Sequence, residues 1–345
     1  MSRHWPIDSQ TEVWELAAPR QFRRRTIELD PLPDGWARIK FLYCGVCGSD
    51  MSQYEGSRSG QYPRSLGHEF VAIVESVADP VEGIDVGDLV VSDLNYRCHH
   101  CYQCSAGRSH LCLVGQSGRF TNRAFSERAN IDATYLWPIR NQSLHPQLAL
   151  IEPLSCVLHA VEWAALTPTD TILILGAGSL GLCMSLAIVD RKLMNGTQFW
   201  DPIYPRLDAL TRAAGITAAA STPPSKTYEV VFDLTGTRDG LMLACDAVRP
   251  GGRLCSMSHL DNVQDTGFLL SKLTRNDVAF KMSYLNGPKE SLGKAAEIVA
   301  KHWNSTYDAT LSIHSAASLS DVFAARRDSP ANKSVIDLRT FGKSP

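Results

Sequence analysis

Four cysteines, Cys98, Cys101, Cys104 and Cys112, stand together in the stretch CHHCYQCSAGRSHLC. Thiolates two residues apart can turn inward onto one ion, and the longer loop returns a fourth sulfur. Four soft ligands complete the tetrahedron that zinc prefers and leave no position for water or substrate. Such a site shapes a loop and does no chemistry. Two other readings compete. A disulfide pair needs an oxidising compartment, which nothing in the chain suggests. An iron–sulfur cluster shares the C-x2-C-x2-C opening, but the ferredoxin run closes with C-x3-C-P. Here the last gap is seven residues and Leu113 follows the cysteine. A structural zinc is expected.

A second constellation is GAGSLG, in which Gly176, Gly178 and Gly181 follow the apolar run TILIL and open a helix-like segment. The first glycine makes a tight turn, the second lets backbone approach a pyrophosphate, and the third packs helix on strand. The helix start, Ser179 and Leu180, offers free N–H groups to the phosphates. Asp201 stands twenty residues beyond Gly181, where an acid meets the ribose hydroxyls and repels a 2′-phosphate. The expected cofactor is therefore NAD. Asp201 also suits a turn before Pro202, and the two roles are compatible. Arg206 is placed to lie along the adenine, or to stand exposed on its helix.

The elements that must hold these residues fall into two groups. At 345 residues the chain exceeds one ordinary core, so two domains are expected. Early segments such as TEVWELAAP, FRRRTIELD, GWARIKFLYC, GHEFVAIVESV and GDLVVSDL alternate in the manner of strands. From about residue 152 strands and helices alternate, and a helix from SLGLCMSL is expected to run to Gly196. That rhythm argues for a parallel, doubly wound sheet. A tail ending in SVIDLRTF returns to strand character. The fold class expected is α/β: a β-rich unit, residues 1–153 and 292–345, interrupted by a Rossmann domain, 154–291. The cysteine lobe occupies about 95–115.

A net charge of −2 with both signs dispersed implies no nucleic-acid or membrane surface. Arg23, Arg24 and Arg25 form the only basic run, on a strand-like segment that reads as a solvated face. The first residues lack the apolar centre of a signal peptide, and no apolar run reaches membrane-spanning length. Ten cysteines without a secretion signal fit a reducing cytoplasm.

Cys47 in YCGVCGSD, His68 and Glu69 in LGHEF, and Glu152 in EPLSC carry metal-ligand chemistry. No spacing rule brings these segments together, and a lone buried His or Cys is more often core. The order of landmarks, however, GVCGSD, GHE, the four cysteines, EPL, GAGSLG, then Asp201 and Arg206, resembles the zinc-dependent medium-chain alcohol dehydrogenases. The glutamate at EPL resembles their polyol and threonine dehydrogenase branch. The resemblance covers nearly the whole chain and implies a GroES-like catalytic domain beside the Rossmann domain. It implies that Cys47 and His68 ligate a catalytic zinc, with Glu69 and Glu152 sharing the remaining protein position. Three protein ligands leave one place for an alcohol oxygen, so two zinc ions per chain are implied.

Ser49 matches the hydroxyl that begins the family's proton relay, and Asp50 a residue that orients ligands. Ser52 stands where many relatives keep a histidine, so the relay must end differently here. Cys44 resembles a packing cysteine, and His159 reads as structural. In the loop SGRFTNRAFSE, Arg119, Asn122 and Arg123 suit a hydroxylated or anionic substrate, or are simply solvated. The expectation is hydride transfer between NAD and a secondary alcohol of polyol, sugar or aminocyclitol type, giving a ketone, in a homodimer or homotetramer. Two alternatives stand beside it: an NADP-linked carbonyl or imine reductase, against which Asp201 argues, and a catalytically silent nucleotide-binding protein.

Overall fold

The structure, a computed structural model, describes residues 9–57, 60–95, 97–115, 123–258, 266–283, 285–326 and 329–341. The chain begins with strands β1 (Gln10–Ala18), β2 (Gln21–Glu28) and β3 (Trp36–Gly45), then the short helix α1 (Gly48–Tyr54). Strands β4 (Arg64–Ser65), β5 (Glu69–Val77) and β6 (Leu89–Ser92) follow. The cysteine lobe carries α2 (Tyr102–Ser105), and β7 (Arg128–Asp132) and β8 (Leu136–Ile139) close this half. Helix α3 (Ile151–Ala164) leads into β9 (Ile172–Leu175), α4 (Ser179–Asp190), β10 (Thr197–Trp200) and α5 (Tyr204–Ala214). Next come β11 (Thr217–Ala218), β12 (Tyr228–Asp233), α6 (Arg238–Ala247), β13 (Val248–Ser256), α7 (Thr266–Arg275) and β14 (Ala279–Met282). The last elements are α8 (Ser291–His302), α9 (Ser305–Asp308), β15 (Leu311–Ser315), α10 (Leu319–Ala325) and β16 (Lys333–Asp337).

The six strands between residues 172 and 282 form one parallel sheet in the order β11-β10-β9-β12-β13-β14. Strand β9 reads ILIL with every residue buried, because helices cover both faces of a parallel sheet. The order reverses between β9's two neighbours, β10 and β12, and ligands of such sheets bind at that switch point. A seven-stranded sheet runs β15-β16-β3-β5-β6-β8, with β7 also pairing β3. The tail strand β16 is thus laid antiparallel against β3, at the edge of the segment that carries Cys47. Strands β2, β1 and β4 make a third, small sheet. The fold class is α/β, a β-rich domain joined to a parallel Rossmann-like domain.

One helix is shorter than its pattern suggests. The segment SLGLCMSLAIVDRKLMNG is helical only to Asp190, because Lys192 adopts a left-handed conformation (φ 58°) and ends it before Gly196. Strand β2 is exposed, and its arginines pair with β1: Arg23 and Arg25 with Glu15, Arg24 with Glu12. No helix among the described residues is long and apolar enough to cross a membrane.

Candidate active site

Cys47 sits where β3 ends and α1 begins, as the N-cap of that helix. Its N–H donates to Asp50 Oδ2 (3.1 Å), and the N–H of Gly67 donates to Asp50 Oδ1 (3.2 Å). A fully buried carboxylate therefore ties the Cys47 turn to the GHE segment, which lies far away in sequence. His68 and Glu69 follow at once, both buried at the start of β5. The thiol of Cys47, a ring nitrogen of His68 and a carboxylate oxygen of Glu69 all lie within 4.8 Å of one another.

Burial alone would lower the pKa of His68, but the charges of Asp50 and Cys47 hold it well above the ordinary value. Its Nδ1 is 3.5 Å from Asp50 Oδ1, an ion-pair distance without a hydrogen bond, and this buried atom has no hydrogen-bond partner. Thiol, imidazole and carboxylate around one point, with an orphaned ring nitrogen, are a donor set suited to zinc. Cys44, buried nearby with its thiol 3.4 Å from Gly45 O, is outside the set.

Glu152, in the first turn of α3, is buried and lines the same cavity, but its oxygens are not among the atoms grouped within 4.8 Å. Burial pushes its carboxyl up to about 7. The thiol of Cys156, one turn along, donates to Glu152 Oε1 at 3.4 Å. Ser49 lines the cavity from α1, and Ser52 donates to Gly48 O at 3.2 Å.

A residue that the sequence pattern does not reveal completes this centre. Lys333 opens β16, is fully buried, and donates to Glu69 Oε2 and to Val46 O (3.3 Å). Burial would lower its pKa, yet the charge of Glu69 holds it above the usual lysine value. Room for the pair comes from Gly45, where a Cβ would fall 2.4 Å from Glu69 Oε2 and 2.5 Å from Lys333 Cε. From sequence alone a lysine reads as exposed. Its burial comes with the placement of β16 between β15 and β3, where residues 333–336 are all buried.

The glycine loop precedes α4, whose first residues line the same cavity. Gly176 takes φ 107° and donates to Trp200 O at 2.9 Å, and a Cβ there would press on Leu234 O at 3.2 Å. At Gly181 a Cβ would fall 2.2 Å from Gly176 O, so the turn cannot close on any larger residue. Gly178 caps α4 with open space around it, and Ser179 and Leu180 face the cavity. Both oxygens of Asp201 accept backbone N–H bonds, from Ala177 (2.7 Å) and Ile203 (2.7 Å), so this acid braces the loop. The Arg206 side chain runs to the tail segment, donating to Ser329 O (2.7 Å) and Arg326 O (3.3 Å).

Arg326 was likewise not apparent from sequence. It lines the cavity and donates to Ser179 Oγ (3.2 Å) and to Asn332 O (3.3 Å). Burial, with Arg206 nearby, pushes it down to about 10. Asn332 Nδ2 donates to the carbonyls of Ala177 and Arg206 (2.9 Å). The tail thus holds the glycine loop in place.

Cys47, His68, Glu69, Glu152, Ser179, Leu180 and Arg326 share one cavity of about 530 Å³. The notable point is that a metal-type donor set and a phosphate-type loop open onto the same space.

The other four cysteines gather in the lobe around α2. Sulfur separations are 3.9 Å for Cys98–Cys104 and 4.0 Å for Cys101–Cys112. A tetrahedron with zinc–sulfur bonds of about 2.3 Å requires sulfurs about 3.8 Å apart. Backbone N–H groups of Cys98, Cys101 and Leu113 point at sulfurs of the set, at 3.3–3.5 Å. Backbone bonds, from Cys104 and Leu113 first, lower Cys101 to about 6, while burial and the neighbouring sulfurs raise Cys104 to about 11. Four close thiols cannot all ionise unaided, and a divalent cation resolves that conflict. The lobe fits zinc.

His159 does not face the active cavity. It packs edge-on against His110 of the lobe (4.6 Å) and lies 3.4 Å from Lys281 Nζ. Arg119 and Asn122 lie outside the described residues, and Arg123 accepts, through its carbonyl, a bond from Ser126 (2.6 Å).

Residues 33–141 match the alcohol dehydrogenase GroES-like domain. The chain is 30% identical to the sorbitol dehydrogenase of Bacillus subtilis (strain 168) over 262 residues, 70% of this chain and 73% of that protein. It is 26% identical to D-arabinitol dehydrogenase 1 of Uromyces fabae over 292 residues, 79% and 82% of the two chains. Among solved structures, the alcohol dehydrogenase RspB of Escherichia coli CFT073, complexed with NADH, superposes with a TM-score of 0.81. That match is 22% identical and covers 96% of this chain and all of the other. Site geometry and relatives converge: the chain belongs to the zinc-type medium-chain alcohol dehydrogenases, in their polyol dehydrogenase branch, and is an oxidoreductase acting on CH–OH groups.

Proposed function

We propose that this chain oxidises a secondary alcohol of a polyol-type substrate to a ketone with NAD as hydride acceptor. The observation that carries the reading is the single cavity onto which both the Cys47–His68–Glu69 set and the start of α4 open. Cys47 and His68 hold the catalytic zinc, and Glu69 and Glu152 supply the carboxylate. When bound, zinc polarises the alcohol or carbonyl oxygen, and NAD accepts or returns the hydride.

The chain's own residues do the rest. Asp50, bonded to the backbone of Cys47 and Gly67, fixes the two ligand segments relative to each other. Lys333 neutralises Glu69 and orients it. Ser49 takes the alcohol proton at its hydroxyl and passes it on by a route that involves no neighbouring histidine. The N–H groups of Ser179 and Leu180, with the guanidinium of Arg326, hold the pyrophosphate. Asp201 meets the ribose diol with lone pairs left over from its two backbone bonds, and it disfavours a 2′-phosphate. We assign residues 1–153 and 292–345 to the catalytic domain and 154–291 to the cofactor domain, which the separate sheets support.

The test is to offer NAD and NADP with a panel of polyols and aminocyclitols and to identify the products. NAD-dependent ketone formation is expected. Faster turnover with NADP at equal low concentration would overturn the cofactor assignment, and reduction of imines only would overturn the reaction.

A further inference from the structure

Arg64 is a second guanidinium in the wall of the active cavity, and it belongs to neither the metal set nor the cofactor loop. Its backbone is fixed by β4, where Arg64 pairs with Leu16 of β1. Its Nε donates to Gln61 O (2.8 Å) and its Nη1 to Gln53 Oε1 (2.7 Å). The Tyr62 ring lies 4.9 Å from the guanidinium carbon. On the remaining side, Gly60 leaves the room it needs, since a Cβ there would fall 1.6 Å from Nη2. Gln53 is itself tied to α1, donating to Ser49 O at 3.4 Å, and its carbonyl accepts from Tyr62 at 2.8 Å.

A guanidinium is always charged, and this one is held in place before any ligand arrives. Among the described residues no carboxylate pairs with it, and Nη2 finds no acceptor. The nearby acids have other duties: Glu69 is paired with Lys333, and Glu152 faces the ligand set from α3. A fixed, unneutralised arginine fork on a cavity wall is built for a carboxylate or phosphate. Arg326 has the same character but touches Ser179 of the glycine loop, which places it with the cofactor's phosphates. Arg64 instead bonds only to α1 and the turn before β4, on the wall that carries Ser49.

Distance sets the shape of the ligand. Gln53 is six residues along the chain from Cys47, about 9 Å at the rise of a helix. The Arg64 fork, bonded to Gln53, therefore meets a part of the ligand other than the carbon held at the metal set.

We infer that Arg64 is a specificity-determining residue that binds an anionic group, a phosphate ester or carboxylate, at the far end of a hydroxylated substrate. The inference rests on the alcohol-oxidising reading of the cavity and narrows its substrate class from neutral polyols to acidic ones.

The test uses zinc-loaded enzyme saturated with NADH and measures binding of sorbitol, sorbitol 6-phosphate and gluconate by calorimetry, in wild type, Arg64→Gln and Arg64→Lys. Turnover of the same three with NAD is followed separately. One charged hydrogen-bonded contact corresponds to about 10- to 100-fold in affinity. Wild type should bind one of the acidic compounds tighter than sorbitol by that factor. Arg64→Gln should lose the preference and Arg64→Lys should restore part of it. No acidic preference in wild type overturns the proposal. So does a loss in Arg64→Gln that appears in NADH affinity and equally for all three compounds, because the anion at Arg64 would then be the cofactor's. Binding with the expected preference but no turnover would leave the anion site standing and count against the alcohol-oxidising reading alone.

Discussion

The amino group of Lys333 meets the carboxylate of Glu69 in a space from which water is excluded, with both side chains at most 2% exposed. The pair joins the last strand among the described residues to the segment carrying the metal-type donors, over a separation of 264 residues. Removing one partner of such a pair strands the other charge in a low-dielectric site. Lys333→Met should therefore lower unfolding free energy by about 3–5 kcal/mol in zinc-free protein, read by denaturant titration. A smaller loss is expected with zinc bound, since the metal also neutralises Glu69.

Gly45 gives that pair its room. Gly45→Ala places a methyl against both partners, so it should destabilise by about 1–3 kcal/mol, the usual cost of overpacking a filled interior. Combined with Lys333→Met, which removes Nζ from beside the new methyl and releases Glu69 from its partner, the double substitution should cost less than the sum of the two single losses. Additive losses would show that the close approach at Gly45 is relieved elsewhere.

The cysteine lobe should behave as a structural site. Cys101→Ser should lose about one zinc per chain and lower thermal stability, because the metal's binding energy is part of the folding free energy. Elemental analysis with a melting curve checks both. Iron in place of zinc would overturn the assignment of the lobe.

The packing of His159 predicts a pH effect. Burial, together with Lys281 and His110, pushes His159 down to about 4, against an ordinary value near 6.5. The unfolded chain therefore takes up this proton first as pH falls. The contribution to stability is complete above about pH 6.5 and is lost progressively as pH drops toward 4. His159→Asn carries no titrating ring, so its stability should fall less steeply across that window than that of wild type. Parallel curves for the two proteins would contradict this.

Ser49→Ala should slow alcohol oxidation by the roughly 100- to 10,000-fold of lost acid–base catalysis, with zinc content unchanged. No histidine follows one turn after it, so the pH–rate profile should lack a relay-histidine step. Near-normal turnover would mean that solvent reaches the alcohol proton directly.

Much of this site is legible in the sequence where its chemistry is local. The GAGSLG turn carries its own reasons, as the contacts a Cβ would make at Gly176 and Gly181 confirm. The four-cysteine lobe likewise spans only fifteen residues, Cys98 to Cys112. Cys47, His68 and Glu69 came from the order of motifs, not from any spacing rule, because Asp50 links their segments through backbone bonds that only folding forms. Lys333, Arg326 and Arg64 carry no local signal. Each has a partner on another element, Glu69, Ser179 and Gln53 respectively, so their inward placement depends on how those elements pack. The pattern carries α4 on to Gly196, whereas the helix ends at Asp190, because Lys192, not a glycine, takes the left-handed turn.

The central claim is that the donor set at Cys47 and the glycine loop serve one reaction. Its most direct test is Cys47→Ala, with zinc content, NADH affinity and NAD-dependent turnover measured on the same preparation. The account predicts that zinc falls from about two to about one per chain, that NADH still binds a folded protein, and that turnover is abolished. Retention of turnover, or of both zinc ions, would contradict it.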